Sequence, residues 1–176
     1  MHVVLPLTAE VAARSATNTM PSDPVKLVRS GLQAYADRGV FRGFDEVKAR
    51  NGKPGFKFVW LGSRLLNFSF DTQEGVLAFS NLLPNVPLNS MLYGDLKRFL
   101  ESRSDRKIPS HRRIDSTRAE LSWTNRRGNV SIALTVRNNQ YAYGVKKLIN
   151  LVHEVFVLLN DSYADYMNEN FDVPQE

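Results

Sequence analysis

The sequence predicts an α+β fold: a curved antiparallel sheet of five or six strands flanked by helices. Two observations carry this. Short runs of alternating apolar and polar residues are separated by tight polar turns, as in hairpin-connected strands. These runs stand among three segments whose apolar residues recur every three or four positions, the spacing of amphipathic helices. The predicted order is α-β-β-β(-β)-α-β-β-α, with no repeat or low-complexity tract in the 176 residues. That is one domain over 23–170, with residues 1–22 as a flexible N-terminal arm and 171–176 as a tail.

The first helix starts at Ser22-Asp23-Pro24, where Ser22 or Asp23 can cap the free amides and Pro24 lacks an N–H that would otherwise go unpaired. Val25, Val28, Leu32 and Tyr35 form its apolar face, and Gly39 is placed to end it in a left-handed conformation. Residues 44–50 then read as a strand closed by the hairpin signal Asn51-Gly52. Phe56, Phe58 and Trp60 alternate with polar or smaller residues, and Leu66, Phe68 and Phe70 do the same after Gly62-Ser63. A further strand covers 76–83, and Pro84 to Pro87 breaks the meander. Leu92, Leu96, Phe99 and Leu100 mark a second helix over 88–102. The polar stretch 103–116, which contains Pro109, reads as a loop. Strands over 118–124 and 130–136 follow, joined by a short loop containing Gly128. The last helix is predicted as one rod from 140 to 168, about 40 Å long at 1.5 Å per residue. Leu151, Phe156 and Leu158 widen its apolar face. It either crosses a broad sheet or also touches a partner subunit.

Composition removes several function classes. The chain has no cysteine, so it has no disulfide framework, thiolate metal site or cysteine nucleophile. That suits a reducing cytoplasm. No apolar run reaches membrane-spanning length. Residues 1–8 lack the basic start of a secretory signal. No glycine-rich phosphate loop, dinucleotide fingerprint or nucleophile elbow is present. His153-Glu154 lacks the second histidine of a zinc-protease helix, because position 157 is Val157. His153 instead reads as a partly buried histidine bonded to backbone or to a neighbour. Asp161, Asp165 and Glu169 share one face of the predicted last helix; they could bind a cation or share a proton, but read rather as a solvated acidic face. No catalytic residue, metal site or cofactor is expected.

The most distinctive polar feature is basic. Lys97, Arg98, Arg103, Arg106, Lys107, Arg112, Arg113, Arg118, Arg126 and Arg127 are ten of the chain's 23 basic residues, against Glu101, Asp105, Asp115 and Glu120 in the same stretch. Arginine grips carboxylates and phosphates bidentately. If the loop and the Arg126-Arg127 hairpin converge, then Arg103, Arg106, Lys107, Arg112, Arg113, Arg118, Arg126 and Arg127 make an anion- or partner-binding surface. Otherwise the loop is a solvated, partly self-neutralised segment. The sheet aromatics Phe56, Phe58, Trp60, Phe68 and Phe70 could stack bases on an open sheet, but alternation of this kind more often marks one side of a core.

The element order, with Phe56–Gly62, Arg64–Phe70, Leu92–Leu100, Glu120–Trp123, Asn129–Leu134 and Asp161–Tyr166 in it, resembles the type III secretion chaperone-like superfamily. Within it the chain is most similar to the YbjN-like family of bacterial sensory transduction regulators. The resemblance implies a curved antiparallel sheet backed by helices, frequent homodimers and work as a protein-binding module. Two features depart from it: secretion chaperones are typically acidic whereas this chain carries a formal charge of +5, and the polar segment 103–116 is not an evident family feature. The expectation is a non-enzymatic cytoplasmic module, chaperone-like or regulatory, that holds a segment of a partner protein. An unpaired apolar strand edge or an exposed aromatic groove would favour it. The alternative is a nucleic-acid-associated regulator using the basic surface of 97–127.

Overall fold

The computed structural model describes residues 23–48 and 53–174. The predicted turn Asn51-Gly52 and the arm 1–22 lie outside the described residues. In order, the elements are α1 (Pro24–Asp37), β1 (Arg42–Lys48), β2 (Pro54–Val59), β3 (Leu65–Asp71), β4 (Val76–Leu83), α2 (Met91–Glu101), β5 (Ala119–Arg126), β6 (Asn129–Val136), α3 (Tyr141–Ser162) and α4 (Ala164–Phe171). The fold is α+β, as the periodicities predict. The Asp23 carboxylate caps α1 by accepting from the Val25 N–H, and Gly39 takes a φ of +79° just past its end.

All six strands are antiparallel neighbours in the order β1-β2-β3-β4-β6-β5. The order matters more than the count. β6 lies beside β4, which leaves β5 at the edge. Residues 84–118 must therefore run from the end of β4 to the start of β5, past the full length of the sheet. Leu83 sits opposite Val130 at one end, and Val76 opposite Thr135 at the other. The β5–β6 hairpin closes on Arg127 and Gly128, both with positive φ (52° and 84°), the two-residue turn whose twist suits paired strands.

The helices share one face of the sheet. Phe56, Phe58, Phe68, Phe70, Leu77, Phe79, Ile132 and Leu134 point to that face and are buried. The aromatic strands are thus core, and their rings are closed to a stacking base. Across the sheet, the pairs Lys57–Asn67, Asn67–Ser80, Ser69–Ala78, Ala78–Ala133 and Glu120–Thr135 make most of the other face small or polar, with the Val59–Leu65 pair and Val47 as apolar exceptions toward the β1 side. An exposed aromatic groove is therefore not found on the sheet among the described residues.

The last helix differs from its prediction. Tyr163 leaves helical geometry (φ −138°, ψ 52°), and the predicted rod becomes α3 and α4. Its hydroxyl donates to Asp95 of α2, while the Tyr166 hydroxyl donates to the Pro84 carbonyl at 2.6 Å. The break lets α4 seat Met167 and Phe171 in the core, with the Phe171 ring 5.5 Å from that of Phe156. Apolar periodicity runs through the break because both helices are amphipathic. Phe171, predicted as the start of a tail, is thus a core residue. The break also separates Asp161 from Asp165 and Glu169, so the three do not share a helical face. Much of the apolar surface of α3 is used within the chain: Val145 packs against Gly31 of α1, and Phe156 meets Trp60 edge-on, while Val157 stays exposed.

Candidate anion-binding site

The topology decides which basic residues meet. The loop 102–118 descends beside α3 in the opposite direction, and three rungs of contact join them. At the first, Glu154 accepts from Arg103 Nη1 at 2.7 Å and from Arg112 Nε at 2.9 Å. At the second, Lys147 Nζ donates to the carbonyls of Ser110 and His111 at 3.1 and 3.0 Å. At the third, the Tyr143 hydroxyl accepts from the Asp115 N–H at 2.9 Å, and the Arg118 guanidinium lies over the Tyr143 ring, 3.7 Å from its centroid. The Arg118 carbonyl also receives the Arg137 N–H, the bond that brings the start of β5 to the root of α3.

Between the second and third rungs lies a pocket of about 460 Å³. Arg113, Arg118, Lys146 and Lys147 supply its positive charge, with Asp115 the single carboxylate in its wall. Asp115 is already occupied: Thr117 donates to it from both backbone and side chain. Those bonds hold it below the usual carboxylate range, helped by Arg118 and Arg113. Lys147 is held below the ordinary lysine value, first by burial and then by the charges of Lys146, Arg118 and Arg113. The cations therefore repel one another across the pocket. Arg118 donates Nε to Gln140, and among the described residues its terminal amino groups take no hydrogen bond. A smaller hollow of about 200 Å³ adjoins it and shares Arg113 and Asp115, with Arg106 on its rim.

The predicted basic surface is thus divided. Arg113 and Arg118 line the pocket and Arg106 its neighbour. Arg103 is buried, stacked over Phe99 and paired with Glu154, and Arg112 shares the same carboxylate, so both are structural. Lys107 is exposed and lines neither hollow. Arg126 and Arg127 sit at the far end of the β5–β6 hairpin, roughly 25 Å from Arg118 at about 3.3 Å per residue. The loop and that hairpin do not converge. Lys146, Lys147 and Tyr143, which complete the pocket, were not among the predicted site residues. The signal for them was the adjacent Lys146-Lys147 pair in a helix otherwise read for its apolar stripe. His153 is exposed rather than partly buried. Among the described residues, no group of three or more His, Asp or Glu is placed to hold a metal ion, and no helix is long and apolar enough to cross a membrane.

The chain matches no protein-family model, no curated protein and no solved structure.

Proposed function

We propose that this chain is a non-enzymatic protein-binding module, chaperone-like or regulatory, that holds an acidic segment of a partner in the pocket between the 110–118 loop and the start of α3. One observation carries the reading: four cations share a concave site whose single carboxylate is committed to an internal turn. Such a site attracts anions and speeds their association. The mostly polar outer face of the sheet favours capture by charge over capture by an apolar groove. A cytoplasmic setting and a homodimer of the type III secretion chaperone-like kind belong to the same proposal.

The test is affinity capture from the host cell, with half of the lysate treated with nuclease. A protein retained in both halves by the wild type and by Arg126→Gln/Arg127→Gln, but lost by Arg118→Gln/Lys147→Gln, supports the reading. Retention that disappears with nuclease means that a nucleic acid is the occupant, and the proposal fails. Sedimentation of the purified chain tests the homodimer.

A further inference from the structure

We propose that the pocket receives a phosphoryl group, carried on a phosphorylated serine or threonine of the partner protein. This deepens the reading above and rests on it. The first ground is charge. Arg113, Arg118, Lys146 and Lys147 face one carboxylate, Asp115, leaving a surplus of three. Glu154, the next acid along α3, offsets little of it: it is the smallest of the influences on Lys147, and its two oxygens already serve Arg103 and Arg112. A single carboxylate brings one negative charge, whereas a phosphomonoester brings about 1.5 to 2 at pH 7. The dianion fits the surplus better.

The second ground is the donor set. Arg118 presents the forked end of its guanidinium, fixed in place by Gln140 at Nε and by the Tyr143 ring beneath it. Lys147 spends two of its three N–H groups on loop carbonyls and keeps one. Lys146 adds an exposed ammonium beside it. A phosphoryl group offers three strong acceptor oxygens to these donors, and arginine matches it bidentately. The third ground is room: about 460 Å³ admits the group together with the residue that bears it. A phosphodiester carries only one charge per phosphate, so a nucleic acid needs a track of cations. Here Arg103 and Arg112 are paired at Glu154 and Arg126 and Arg127 lie at the far end of the hairpin, so that of the predicted basic surface only Arg106 and the exposed Lys107 extend the charge beyond the pocket.

The experiment is fluorescence anisotropy of the full chain against three labelled, degenerate peptide pools. Their central residue is phosphoserine, aspartate or serine, and single-stranded DNA is run alongside. The expected result is binding of the phosphoserine pool roughly ten-fold or more tighter than the aspartate pool, competed off by inorganic phosphate. Lys146→Gln, which alters an exposed side chain and leaves folding intact, weakens it several-fold. Arg118→Gln/Lys147→Gln abolishes it, with circular dichroism confirming the fold. Arg126→Gln/Arg127→Gln leaves it unchanged. Equal binding of the aspartate and phosphoserine pools overturns the phosphoryl inference and leaves the acidic-segment reading standing. Binding of DNA but of no peptide pool overturns both. Phosphoserine binding indifferent to Lys146→Gln and to Arg118→Gln/Lys147→Gln overturns the assignment to this pocket.

Discussion

Glu154 fastens the basic loop to α3, and Glu154→Gln isolates what its charge contributes. Glutamine keeps the shape and one acceptor but removes the negative charge. Arg103, whose side chain is 7% exposed, then keeps its charge with no carboxylate beside it. Stripping one partner from a fully buried ion pair costs about 3–5 kcal/mol. Glu154 is itself 19% exposed and glutamine still accepts a hydrogen bond, so the cost falls to roughly 2–3 kcal/mol. The Arg112 arm adds little, because that side chain is 46% exposed and water screens it. A chain of this size loses about 2–4 °C of Tm per kcal/mol, so the variant should melt about 5–10 °C lower. Calorimetry together with urea unfolding measures this. Arg112→Ala should melt close to the wild type. The double variant Arg103→Met/Glu154→Leu removes both charges and should recover most of the loss, because a packed apolar pair can replace a buried ionic one. A Glu154→Gln protein that melts with the wild type would refute the claim that Glu154 neutralises a buried arginine. So would a double variant as damaged as the single one.

Three further outcomes follow from the packing. A Cβ added at Gly62, whose φ is +55°, would run into the Phe171 carbonyl oxygen. Gly62→Ala should therefore unseat α4 and cost about 3 kcal/mol, read from the urea midpoint; an unchanged midpoint would mean that α4 is not docked there. Arg127→Asn puts a residue that tolerates left-handed geometry before Gly128 and should stabilise the hairpin by about 0.5–1 kcal/mol, seen as a rise in Tm. Asp95 is held below the usual carboxylate range, first by the Tyr163 hydroxyl and also by Arg98. Its lowered pKa contributes stability that is present above the unfolded-state value and lost as pH falls through the folded one. Tyr163→Phe should raise the Asp95 pKa and start acid unfolding at a higher pH, which an NMR titration of the carboxylate checks.

The strands and helices were legible because each is a local pattern. Alternation at Phe56–Phe58 and Val130–Val136 can be read without knowing its neighbour. The break at Tyr163 was not legible, because what opposes the straight helix is distant. Asp95 and Pro84 hold the two tyrosine hydroxyls, and the core accepts Phe171, none of which a periodicity contains.

The site was only partly legible in the sequence, for a different reason: Arg113 and Arg118 were read, whereas Tyr143, Lys146 and Lys147 were not. Counting basic residues over 97–127 treats closeness along the chain as closeness in space, and an antiparallel hairpin reverses that relation. Arg118 and Arg126 are eight positions apart and sit at opposite ends of β5. Arg118 and Tyr143 are 25 positions apart and stack, because Arg118 bonds to Arg137 across the strand pair and α3 begins just beyond. Counting also ignores which charges are already matched. Arg103 and Arg112 belong to the densest basic stretch, yet one glutamate takes both. Lys146 and Lys147 stand outside that stretch and, with Arg113 and Arg118, supply charge that Asp115 and Glu154 only partly offset. What a ligand meets is the remainder after internal pairing, and that remainder is a property of the β5–β6 register and of Glu154.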